Sequence, residues 1–211
     1  MTQPLVGVLD YGSGNLHSAC RALEAVGARV LLGRRPQDFT GVSGLVLPGV
    51  GAFAACMTQL RVIGADDLVR DWVAAGRKLL GICVGHQVLF ARGVEHGTDS
   101  AGIGIFDGTV ERLAARRLPH MGWNTVELPD GAARVAAVRG RRFYFVHSYG
   151  VHSHDEQGRQ SVPPDAMVAW TEHGGDRFIA AVQWRSVTST QFHPEKSGAA
   201  GAALMHDWLM S

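Results

Sequence analysis

The sequence predicts an α/β fold: a mostly parallel central sheet covered by helices, with antiparallel strands added in the second half. Three observations carry this reading. In the first half, short apolar runs alternate with segments of helical period. Those runs are continuously apolar rather than alternating, as in strands buried on both faces. In the second half, five strand-like pieces follow one another across short polar turns, the pattern of antiparallel hairpins.

Leu5-Val6-Gly7-Val8-Leu9-Asp10 ends at Gly12-Ser13-Gly14, a buried strand feeding a turn. Leu16, Ala19, Cys20, Leu23 and Val26 then recur at helical spacing until Gly27. Arg29 to Leu32 reads as a second strand and Gly44 to Leu47 as a third, closed by Pro48. Asp66 to Gly76 has an acidic helix start and a glycine stop. Lys78 to Cys83 is the next strand, and Val84, Val88 and Leu89 open another helix. The later pieces are Met121 to Leu128, Phe143 to His147, Met167 to Glu172, Phe178 to Trp184 and Val187 to Phe192. Ala199 to Met210 closes the chain as an amphipathic helix, with Leu204, Met205 and Trp208 facing inward. Four arginines between Arg134 and Arg142 read as a solvated surface. No repeat, linker or domain boundary interrupts residues 1–211, which are expected to form a single domain.

Composition excludes several classes. The net charge of +1 offers no basic surplus for nucleic acid and no block of like charge. The opening Met1-Thr2-Gln3-Pro4 has neither the basic start nor the apolar run of a signal peptide. No apolar run approaches the roughly 18 residues needed to span a membrane. The 3 cysteines, Cys20, Cys56 and Cys83, lack the paired spacing of a zinc site or disulfide frame. A cytoplasmic chain with reduced thiols and neither metal nor cofactor is expected.

The chemistry concentrates at Gly81-Ile82-Cys83-Val84-Gly85-His86-Gln87 and Gln191-Phe192-His193-Pro194-Glu195-Lys196-Ser197. Cys83 ends a strand and begins a helix, so its sulfur is presented on a sharp turn that flanking glycines let pack closely. A free thiol is only a few per cent ionised at neutral pH, and an exposed helix end favours the anion by just about 0.3 to 1 kcal/mol. A partner base is required. His193 and Glu195 flank Pro194, with strand alternation placing both side chains on one face, so the carboxylate can orient the imidazole. His86, three residues past Cys83, is the competing base but has no nearby carboxylate in sequence. Cys20 and Cys56 read as packing residues. Thiol, base and orienting carboxylate together point to hydrolysis of a carboxamide.

These two segments resemble the triad, class I glutamine amidotransferases, with Cys83, His193 and Glu195 in matching positions. Asp10-Tyr11-Gly12-Ser13-Gly14-Asn15, Pro48-Gly49-Val50-Gly51-Ala52-Phe53, Met121-Gly122-Trp123-Asn124 and Val146-His147-Ser148-Tyr149 are similar to the glutaminase branch of imidazole glycerol phosphate synthases. The resemblance covers nearly the whole chain. Val84 and His86 depart from it, standing where Leu and Met are common.

The resemblance implies a class I glutamine amidotransferase-like fold and hydrolysis of L-glutamine. It implies a (β/α)8-barrel cyclase subunit as heterodimeric partner, which would use the ammonia in histidine biosynthesis. The oxyanion of the reaction needs donors in place, and the amide of Val84 is one candidate. The second is expected from Gly49 and Val50, in a strand that rearranges when the partner is loaded. Gly51, Gln87, Glu95, Ser148 and Tyr149 match positions that hold glutamine: Gln87 lies one turn past Cys83, and Glu95 can pair the substrate ammonium. Trp123, Tyr144 and Lys196 match the partner interface, and Asn15 lies on the loop expected to face the partner. That loop is no dinucleotide site, because His17 occupies the third glycine position of the fingerprint. The rivals are a glutaminase for pyridoxal phosphate or anthranilate synthesis, a non-catalytic module of the same fold, and a cysteine peptidase.

Overall fold

The computed structural model describes residues 3–128, 140–153 and 160–211. The first half follows the expected alternation, with one further helix, α2: β1 (Leu5–Leu9), α1 (Leu16–Ala25), β2 (Arg29–Gly33), β3 (Gly44–Gly49), α2 (Phe53–Val62), α3 (Ala65–Ala74) and β4 (Lys78–Cys83). A single helical turn, α4 (Val84–Gln87), leads into β5 (Phe90–Glu95), β6 (Thr98–Ala101) and β7 (Phe106–Arg112). Then come β8 (His120–Thr125), β9 (Arg142–His147), β10 (Tyr149–Val151), β11 (Met167–His173), β12 (Asp176–Trp184), β13 (Val187–Thr190) and α5 (Gly198–Met210).

The main sheet runs β11-β12-β13-β4-β3-β1-β2. β2, β1, β3, β4 and β13 are parallel neighbours, whereas β11 and β12 add on antiparallel. Val6, Val8, Leu45, Val46, Leu47, Leu79 and Leu80 are fully buried, which explains their unbroken apolar runs. Burying each such side chain is worth about 1.5–3 kcal/mol. A second sheet, β10-β7-β5-β6, and the hairpin-like pair β8-β9 complete the strands. In α5, Leu204, Met205 and Trp208 are buried as expected.

Three expectations are corrected. The helix after Cys83 lasts one turn, because Val88 and Leu89 present their carbonyls to Ile103 and Ile105 and the chain turns into β5. Pro48 does not close β3: it pairs with Ile82, and Gly49 pairs with Cys83. β1 pairs with β3 only through Val46, so the missing N–H of Pro48 costs no ladder bond, and its carbonyl accepts from Tyr11 instead. The last strand stops at Thr190 rather than Phe192, since His193 bridges to Tyr144 of β9. The arginine-rich stretch lies outside the described residues over 129–139. Among the described residues no helix is long and apolar enough to cross a membrane.

Candidate functional site

The nucleophile turn is strained by construction. Cys83 takes φ 55 and ψ −110, a region side chains seldom occupy and one that surrounding structure must enforce. Gly85 makes the enforcement feasible, because a Cβ there would overlap the Leu47 carbonyl of β3. As the first residue of α4, Val84 has an amide with no intrahelical acceptor.

Opposite the thiol, a 3-10 turn spans Pro194–Lys196. This turn, rather than strand alternation, brings His193 Nδ1 to 2.7 Å from Glu195 Oε1. The His193 amide donates to Tyr144 O at 2.9 Å. Ser197 Oγ donates to the His193 carbonyl at 2.6 Å and accepts from the Tyr144 amide at 3.0 Å. Both triad side chains on this turn are 2% exposed. Burial by itself would depress the imidazole, but its interactions with Cys83 and Glu195 outweigh that and raise it to about 9. Among the described residues His193 Nε2 is buried without a hydrogen-bond partner, and His193 lines the cavity that Cys83 shares.

Asn15, on the loop expected to face the partner, is half-buried and also bonds within the chain. Its Nδ2 donates to Glu195 Oε1 at 2.8 Å, so that single oxygen serves both the imidazole and the amide. The competing base lies away from the cavity. His86 is fully buried, bonds Ser189 Oγ at 2.8 Å, and does not line the cavity. Burial pushes it down to about 3, so it is neutral. Cys56 is buried and Cys20 partly so, as packing residues should be.

A cavity of about 550 Å³ opens over the thiol. Cys83, Val84, His193, Val50, Gly51, Gln87, Glu95, Ser148 and Tyr149 all line it, so the sequence-selected set converges in space. Gly49 lines a smaller adjoining pocket with Asn15, His193 and Glu195. Gln87 spends both amide hydrogens on protein, donating to Tyr149 O at 2.9 Å and Gln191 Oε1 at 3.0 Å, which leaves its own oxygen as acceptor. Glu95 accepts the Phe53 amide on Oε2 at 2.7 Å, and its Oε1 lies 4.0 Å from Nε2 of His96, which also lines the cavity. Val50 is held by Ser13, whose Oγ accepts the Val50 amide at 2.8 Å. In this state that amide serves no oxyanion. Trp123, 47% exposed, meets Tyr144 edge-on at 6.2 Å, and Lys196 is exposed on the triad turn. Tyr144 in turn bridges His193 and donates its amide to Ser197 Oγ.

Several lining residues escaped the sequence reading. Arg112 and His96 stand in the cavity wall and carried no motif. Gln191 Nε2 lies 4.0 Å from Cys83 Sγ, and His147 lines the cavity. Both lie inside motifs, 191–197 and 146–149, whose neighbouring residues carry the more recognisable chemistry.

Comparison with known proteins agrees with this geometry. Residues 7–210 match the family described as "Glutamine amidotransferase class-I". The chain is 53% identical over 210 residues to "Imidazole glycerol phosphate synthase subunit HisH" of Cutibacterium acnes, covering 99% of this chain and 98% of the relative. The subunit of the same name from Corynebacterium glutamicum is 50% identical over 206 residues, with 97% of both chains covered. Among solved structures, a glutamine amidotransferase superposes with TM-score 0.73 at 22% identity over 97% of each chain. PurLQS from Thermotoga maritima gives 0.72 at 17% identity over 99% of each, a likeness of fold alone. The chain belongs to the class I glutamine amidotransferase family.

Proposed function

We propose that the protein is the glutaminase subunit of an imidazole glycerol phosphate synthase, hydrolysing L-glutamine to glutamate and ammonia for a (β/α)8-barrel cyclase in histidine biosynthesis. The observation that carries it is the shared cavity of Cys83 and His193, with Glu195 bound to the far side of the imidazole. Near-full-length identity to HisH subunits supports the choice of acceptor pathway.

In this mechanism Cys83 sulfur forms a bond to the side-chain amide carbon of glutamine. His193 carries the thiol proton to the departing nitrogen, ammonia leaves, and a glutamyl thioester remains. His193 then takes a proton from water, whose oxygen displaces the thiolate and yields glutamate. Glu195 holds the tautomer and stabilises the imidazolium formed in each half. Glu95 and the Gln87 oxygen suit the substrate ammonium, and the backbone at Ser148 and Tyr149 suits its carboxylate. Val84 supplies one oxyanion donor. The Val50 amide becomes the second when it leaves Ser13, an event assigned to docking of the loaded cyclase. Sealing ammonia from water keeps it unprotonated and nucleophilic. The partner would convert PRFAR to imidazole glycerol phosphate and AICAR. The free thiols suit the cytoplasm.

Glutamate release by the chain, alone and with the cyclase and PRFAR, tests the proposal. Strong stimulation by the loaded cyclase and loss of all turnover in Cys83→Ser are expected. A Cys83→Ser complex with full activity would end it.

A further inference from the structure

Behind the cavity wall lies a hydrogen-bond chain that the triad does not use. Asn124 Oδ1 accepts the Thr125 amide at 2.8 Å, which fixes the orientation of its side chain. Its Nδ2 therefore has two hydrogens to give, one to Glu172 O at 2.8 Å and one to His120 Nε2 at 3.2 Å. His120 Nε2 is thus an acceptor, and the ring hydrogen sits on Nδ1, which faces His147 Nε2 at 3.1 Å. By the same step His147 carries its hydrogen on Nδ1 and donates to Tyr149 O at 2.8 Å. Both tautomers follow from a backbone carbonyl at each end.

The surroundings keep these rings neutral and still. His120 is stacked between Phe145 and His173, with ring centroids 4.7 Å and 4.2 Å away. His147 meets Phe178 edge-on at 4.9 Å. Burial, with the other histidines adding to it, pushes His120 down to about 4 and His147 to about 3. A proton added to either ring would set N–H against N–H. The Tyr149 carbonyl also accepts from Gln87, whose amide reaches Gln191 beside Cys83. At the other end, His120 and Asn124 alternate along β8 with Met121 and Trp123, which are 62% and 47% exposed.

We propose that Asn124, His120 and His147 are positioning residues, a chain that sets the Ser148–Tyr149 backbone against bound glutamine and ties it to the exposed strand β8. The inference rests on the glutaminase reading above. Neither imidazole moves a proton in the reaction. Each holds the next group, and the last holds the Tyr149 carbonyl, in the stretch that lines the cavity.

Two measurements test it. Nitrogen-15 spectra of the histidine-labelled full chain at pH 7 should show His120 and His147 as neutral Nδ1–H tautomers; Nε2–H tautomers would overturn the chain. Two His120 variants, assayed in complex with the cyclase and its ligand, then separate positioning from packing. His120→Phe keeps the ring stack and removes the N–H, and should raise KM for glutamine roughly three- to tenfold with kcat held, as for loss of one hydrogen bond. His120→Asn removes the ring and retains a donor at the Nδ1 position, and should bring KM back toward the wild-type value. The reverse order, Phe benign and Asn damaging, would make His120 a packing residue and overturn the inference. Absence of glutamine turnover in the wild-type complex would instead overturn the reaction itself, while the spectra would still report the tautomers.

Discussion

Removing one hydroxyl should wake the resting enzyme. Ser13 Oγ accepts the Val50 amide at 2.8 Å and also approaches the Val50 carbonyl at 3.5 Å, so both ends of this residue are tethered. A hydrogen bond of this kind is worth about 1 kcal/mol net, and an amide left without an acceptor loses about 1–3 kcal/mol. Ser13→Ala therefore shifts the balance toward the conformer with a free Val50 amide by about fivefold at the least and about a hundredfold at the most. An oxyanion donor is worth about 2.7 to 4 kcal/mol, so the released conformer dominates turnover even as a minority. The basal kcat/KM of the isolated variant should rise by about tenfold, whereas the rate with the loaded cyclase should stay within about twofold, because on the proposed mechanism docking has already broken the tether. Ser13→Thr keeps the hydroxyl and serves as control. Equal stimulation of the basal and activated rates would refute the reasoning, since Ser13 would then act on the chemistry rather than on the resting state. An unchanged basal rate in a folded variant would refute it too.

Other outcomes follow from the same geometry. Asn15→Ala strips one of two donors from Glu195 Oε1 and should lower kcat about tenfold, with Asn15→Asp worse because it sets carboxylate against carboxylate; equal kcat in wild type and both variants would remove Asn15 from the site. Acid should unfold the protein early. His86 and His147 are held near 3 against an ordinary 6.5, so the stability they confer is complete above 6.5 and is lost as pH falls toward 3. Each withdraws roughly 1.4 kcal/mol per pH unit in that window. Urea midpoints at pH 7 and pH 5 measure this, and identical midpoints would contradict it. His193 works in the opposite sense: held near 9, it contributes fully below 6.5 and loses that contribution as pH rises through 9.

Legibility in the sequence followed the range of the contacts. The parallel core was readable because strands such as Lys78–Cys83 are buried on both faces and say so in consecutive letters. The triad was readable because Gly85 and Pro194 are local demands of a strained turn and a short helical turn. The sheet of β5 to β7 was not, since Thr98–Ala101 and Phe106–Arg112 mix exposed charged residues with small ones and carry little apolar pattern. Val84, Val88 and Leu89 do repeat at helical spacing, yet bonds from Ile103 and Ile105 win over that period. The bond of Asn15 to Glu195 was not legible for the same reason: its partner is 180 positions away, and nothing near it in the chain announces a carboxylate.

The seating of β13 beside β4 has a consequence for how the molecule comes into being. The strand that presents the thiol has β3, made before it, on one flank, but its other neighbour, Val187–Thr190, is made only after β5 to β12. The imidazole, the carboxylate and the amide that braces it meet only once that late strand has slotted in. A chain elongated past Cys83 but not yet to His193 carries the cysteine without the imidazole, and on the proposed mechanism its reactivity is withheld until that later segment is made.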